Sequence, residues 1–99
     1  MRRAAKVDAN HARIVKALRD AGCLVTDLSA VGGGVPDLLV ATPVERRLMM
    51  LEIKDGEKRK SAQKLTPPQE AFHAKWHGLV HVVTSVNEAI SVVLGKEVH

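Results

Sequence analysis

Two short apolar runs, Leu38-Leu39-Val40-Ala41 and Leu48-Met49-Met50-Leu51, are separated only by Thr42 to Arg47, with Pro43-Val44-Glu45-Arg46 at the centre. A link this short requires antiparallel pairing, because parallel neighbours need a crossover of roughly a dozen residues or more. The pattern predicts a hairpin with strands over 36–42 and 47–54 and a turn at 43–46, which sets Thr42 opposite Arg47. Carried along the ladder, that register brings Asp37 opposite Glu52. Neither run alternates apolar with polar residues, and strands of that kind are expected to be covered on both faces.

The flanking sequence supplies the cover. Ile14, Val15, Leu18 and Ala21 recur at helical spacing and predict a helix over 8–21, capped by Asp8 or Asn10 and closed by Gly22. Residues 23–28 read as a strand, and 29–34 as a loop ending in Gly32-Gly33-Gly34. Residues 55–64 form a polar, basic loop expected to order on a polyanion. Thr66-Pro67-Pro68-Gln69 is a strong helix start, with Thr66 as N-cap, Pro67 at N1 and Gln69 at N3 completing a capping box. That helix runs to Trp76 or His77 and stops at Gly78, before a strand over 79–83 and a last helix over 87–94. The order αβββαβα specifies an α/β (α+β) fold, a mixed sheet flanked by helices. At 99 residues the chain is one domain, 1–99, with 1–7 expected to be flexible.

Composition narrows the class. Hydrophobic residues at 45% and charged residues at 26% exclude a disordered chain. No apolar run approaches the roughly 20 residues that span a bilayer. The basic N-terminus has no apolar segment behind it, and the single cysteine, Cys23, cannot pair internally; both fit the cytoplasm. A net charge of +4 is a modest bias toward a polyanion. Phe72 and Trp76 are the only aromatic residues, which argues against single-strand binding by base stacking.

The chemistry lies where charge interrupts the apolar strands. Asp37 opens one strand, and Glu52-Ile53-Lys54 ends the other. Opposed carboxylates repel, and burial adds a desolvation cost, so something must offset both. A divalent cation such as Mg²⁺ would do so, taking the two carboxylates and the Ile53 carbonyl as oxygen ligands. Lys54 projects to the same side as Glu52 by the period-two rule, placed to assist a water or to stabilise charge on a phosphate. The competing reading is a structural ion pair of Lys54 with Asp37 or Glu52.

Pro36-Asp37 followed by Glu52-Ile53-Lys54 resembles the PD-(D/E)xK nuclease signature. The run Val31 to Val40, together with Glu52-Ile53-Lys54-Asp55-Gly56 and Leu65-Thr66-Pro67-Pro68-Gln69, resembles the VRR-NUC family in its minimal phage or bacterial form, over residues 8–93. The resemblance implies a restriction-endonuclease-like core, dependence on Mg²⁺ or Mn²⁺, and structure-selective cleavage of DNA in replication, recombination or repair. It further implies metal ligation by Asp37 and Glu52, catalysis by Lys54 and an active-site role for Gln69. Many members of the wider family carry an acidic residue on the first helix. Here that segment reads Asp8-Ala9-Asn10-His11, with no glutamate.

Several residues keep two readings. Gln69 either caps its helix or serves the site. The glycines, Gly33 and Gly34 among them, either make a turn at positive φ or let the backbone approach DNA. Lys58, Arg59, Lys60 and Lys64 either contact phosphates or form a solvated loop. His73 and His77 stand at metal-ligand spacing, but no further ligand completes a zinc site, so surface or subunit contact is the expectation. A chain this small also suggests a homodimer, whose two sites would suit branched DNA such as a four-way junction or a flap. The alternative class is a non-catalytic DNA-binding module that keeps the carboxylates and lysine as a structural cluster.

Overall fold

The structure, a computed structural model, describes residues 9–95, so Asp8 and the segment 1–7 lie outside the described residues. Helix α1 spans His11–Asp20 and β1 Leu24–Asp27. The hairpin follows as β2, Leu38–Ala41, and β3, Leu48–Ile53. After a 3₁₀ turn at Lys60–Gln63 come α2 (Pro67–Lys75), β4 (Val80–Val83) and α3 (Val86–Leu94). The order αβββαβα is the expected one. The four strands lie in chain order, β1-β2-β3-β4; β1 and β3 both pair antiparallel to β2, while β4 pairs parallel to β3. The result is a small α+β domain with a mixed sheet flanked by helices, consistent with a restriction-endonuclease-like fold.

The hairpin register is the one the turn length dictates. Leu38 pairs with Leu51 and Val40 with Met49, and Thr42 bonds Arg47 through both amide and hydroxyl. Arg46 adopts φ 54°, the left-handed residue that closes the turn.

One sheet face makes the core. Leu38, Val40, Met49, Leu51, Ile53 and Val83 pack against Ile14 and Leu18 of α1 and Ala89 and Val93 of α3. The expectation of two fully covered faces is corrected here. On the α2 side Leu39, Met50 and Val80 are half-buried, whereas Leu24 and Leu48 are 58% and 61% exposed. The reason is local: α2 buries none of its residues, so it shields only part of the sheet.

Helix ends follow their signals, with one exception. The amide of Gly22, at φ 96°, bonds the Arg19 carbonyl and that of Cys23 the Leu18 carbonyl, the paired bonds of a Schellman stop. Ser85 caps α3 by accepting from the Glu88 amide. Asn10 occupies the N-cap position of α1, yet its side chain makes no cap. Its amide donates instead to the carbonyls of Thr84 (2.9 Å) and Lys54 (3.4 Å), tying the start of α1 to the ends of β3 and β4.

Candidate active site

Asp37 sits just before β2, where its carbonyl accepts from the Leu28 amide at 2.7 Å and ties the glycine-rich loop shut. Its carboxylate turns toward β3: Oδ2 accepts from the Ile53 amide, also at 2.7 Å. With Leu38 paired to Leu51, the next step outward brings Asp37 beside Glu52. Glu52 is 3% exposed and Lys54 9%, both on the face away from the core.

Gln69 joins them. Its Oε1 accepts from the Lys54 ammonium at 3.1 Å, and its Nε2 donates to Glu52 Oε2 at 3.2 Å. The amide is oriented to both charges, acceptor to cation and donor to anion, which offsets part of the cost of burying them. The same Oε1 accepts from the Thr66 amide at 2.9 Å, and Thr66 Oγ1 accepts from the Gln69 amide, so the capping box is complete. The two readings of Gln69 are therefore compatible: one residue starts α2 and holds the acid and the lysine of β3.

Gly34 explains how α2 reaches the cluster. It lies at φ 86°, and a Cβ there would stand 2.3 Å from the Pro68 carbonyl oxygen. The close approach is thus to the protein's own helix. Gly33, at φ 66°, is exposed with nothing near its missing Cβ.

The basic side chains Lys58, Arg59, Lys60 and Lys64 are exposed on the following loop. That loop has structure of its own: Gln63 Nε2 donates to the Lys58 carbonyl at 2.6 Å, and Glu57 N to Asp55 Oδ1 at 2.9 Å. These bonds give the loop local turns between β3 and α2.

Among the described residues, the carboxylate of the first helix, Asp20, lies at its far end paired with Lys16 and not in this cluster. Asn10 is spent on the strand ends, and His11 Nε2 meets Asp27 Oδ2 at 3.0 Å. Burial works against the charge of Asp27, but bonds from the Ser29 hydroxyl and amide and from His11 prevail and hold its pKa below the usual value.

Sequence reasoning misplaced His73, expected at the surface or a subunit contact. It is half-buried, and its Nε2 is enclosed with no hydrogen-bond partner. Burial, and then the positive charge of Lys54, push its pKa below the usual histidine value. The available signal was its spacing, one helical turn after Gln69 and hence on the same face. His77 is exposed.

The donors are hard oxygens: the carboxylates of Asp37 and Glu52 from adjoining strands, with the Ile53 carbonyl between Glu52 and Lys54. Such a set suits Mg²⁺ or Mn²⁺ rather than a thiophilic ion. Among the described residues no group of three or more His, Cys, Asp or Glu could hold a metal, so His73 and His77 complete no zinc site.

No family model matches the sequence, and no curated protein matches it significantly. Its backbone is similar to a solved structure described as a VRR_NUC domain, with a TM-score of 0.60 and 27% sequence identity. The alignment covers 88% of this chain and 97% of the other.

Proposed function

We propose that this chain, whose backbone is similar to a VRR_NUC domain, is a member of that family and a divalent-metal-dependent DNA endonuclease of the PD-(D/E)xK type. The observation that carries this reading is the joined set Glu52–Gln69–Lys54, with Asp37 beside it at the open end of a hairpin.

Asp37, Glu52 and the Ile53 carbonyl would hold Mg²⁺ or Mn²⁺, which supplies Lewis acidity and lowers the pKa of water. The chain's own groups do the rest. The Ile53 amide fixes one oxygen of Asp37, so this carboxylate enters the site in one orientation. Lys54 places a positive charge where negative charge develops on the phosphoryl oxygens as water adds across the P–O bond. Gln69 holds Lys54 and Glu52 at set positions. Lys58, Arg59, Lys60 and Lys64 draw the sugar-phosphate backbone toward the cluster, and the exposed turn at Gly33 offers backbone to it.

The finer reading is a homodimer that cuts branched DNA in replication, recombination or repair. In its favour, Leu24, Leu48 and Val82 are exposed on the α2 side of the sheet, a face that a second copy would cover. No helix among the described residues is long and apolar enough to cross a membrane.

The test is cleavage of linear, flap and four-way-junction DNA with Mg²⁺ or Mn²⁺ by wild type, Glu52→Ala and Lys54→Ala. Cleavage by wild type alone supports the proposal. Binding without cleavage turns the molecule into a non-catalytic DNA-binding module, and variants as fast as wild type defeat the assignment of the site.

A further inference from the structure

His73 borders the cluster yet takes no part in its hydrogen bonding. It follows Gln69 by one turn of α2, so both face β3. Its Nε2 is buried and has no partner, a state that costs free energy in a folded protein. Its depressed pKa leaves the ring neutral near pH 7, with a proton on one nitrogen and a lone pair on the other.

Lys54 has the complementary need. Its ammonium carries three protons, is almost enclosed, and donates to Gln69 Oε1, which the Thr66 amide also occupies. An under-used buried donor and an unused buried acceptor thus border the same cluster, both next to Gln69, and the charge of Lys54 acts on His73.

We propose that His73 is a positioning residue for Lys54: with its proton on Nδ1, the ring offers the Nε2 lone pair as a second acceptor for the ammonium, engaged when the Gln69 carbonyl turns away. The inference rests on the nuclease reading for its consequence, though not for the contact itself. A neutral acceptor steadies the ammonium without cancelling its charge, whereas a carboxylate would pair with it and weaken its pull on a phosphate. It also frees Gln69 to follow Glu52 when that carboxylate takes up a cation.

Two measurements test this. Long-range ¹H–¹⁵N correlation on the metal-free wild-type protein identifies which ring nitrogen of His73 bears the proton. The proposal requires Nδ1–H, and a proton on Nε2 overturns it. Single-turnover and steady-state cleavage then compare His73→Leu with His73→Gln, whose side-chain oxygen restores an acceptor. The leucine variant is expected to lose about 10–100-fold in kcat with KM for DNA changed less than about twofold, and glutamine to recover most of the loss. A leucine variant as fast as wild type, or equal impairment of both variants, overturns the proposal. Should leucine unfold the protein, the tautomer measurement and the glutamine variant still decide. If wild type cuts no DNA with either metal, the nuclease reading fails, and the tautomer result alone upholds or rejects the contact.

Discussion

Replacing Gly34 with alanine tests whether α2 is set in place by the glycine-rich loop. The new Cβ would lie 2.3 Å from the Pro68 oxygen, 2.5 Å from its carbon and 2.9 Å from the Gln69 amide, all backbone atoms that cannot swing aside. Reaching ordinary contact requires the first turn of α2 to retreat by about 1 Å. Gln69 is in that turn, and its bond to Glu52, already 3.2 Å, would stretch beyond hydrogen-bond range. Alanine at φ 86° adds about 1–2 kcal/mol of left-handed strain. With that charge-assisted bond lost, worth roughly 1.5–3 kcal/mol, the expected destabilisation is about 2.5–5 kcal/mol. For a domain of this size that lowers Tm by roughly 10–40 °C. Displacing a site residue by about 1 Å also predicts a fall in cleavage rate on the order of 100-fold. The control is Gly33→Ala, which meets nothing within 4 Å and incurs backbone strain alone, about 1–2 kcal/mol. Thermal unfolding by circular dichroism and single-turnover cleavage compare the two. If Gly34→Ala matches Gly33→Ala in both, the loop does not position α2 and the reasoning fails.

Leu18 is fully enclosed between α1 and the sheet, so Leu18→Ala should cost about 2–5 kcal/mol in denaturant unfolding without changing the proton-bearing nitrogen of His73. Thr66→Ala removes one half of the capping box and should cost about 1 kcal/mol. Because Gln69 keeps its bonds to Lys54 and Glu52, the loss of cleavage should be smaller than for Gln69→Ala; the reverse order would place the cap, not the amide bridge, at the centre of activity. The depressed pKa of His73 means that below its unfolded value of about 6.5 the unfolded chain binds more protons than the folded one. This contribution to stability is present above that pH and is lost as pH falls through the lower folded value. The acid-side decline in Tm should therefore be shallower in His73→Gln, as followed by calorimetry. Light scattering at micromolar concentration should report a dimer, and Leu48→Lys on the exposed sheet face should shift it to monomer.

Local chemistry was enough to specify the element order and the hairpin. A turn of four residues leaves one antiparallel register, and that register places Asp37 by Glu52 whatever surrounds them. The Thr66 capping box and the Gly22 stop were likewise legible, since each is satisfied within a few residues of chain. What the sequence left open depends on contacts between distant segments. Asn10 has the composition of a cap, but the carbonyls of Lys54 and Thr84 compete for its amide across 44 and 74 residues, and only packing of α1 against the sheet brings them near. Gly34 reads as a turn glycine until Pro68 is found where its side chain would be. His73 looks like a surface histidine because α2 has little apolar pattern, and its enclosure depends on α2 being tethered to β3 through Gln69. Backbone periodicity and turn length act over a few residues and so can be read along the chain. The depth at which a polar side chain is buried, and which charge it meets there, is decided by how the helices dock, a balance of packing and desolvation that exists only in the folded molecule.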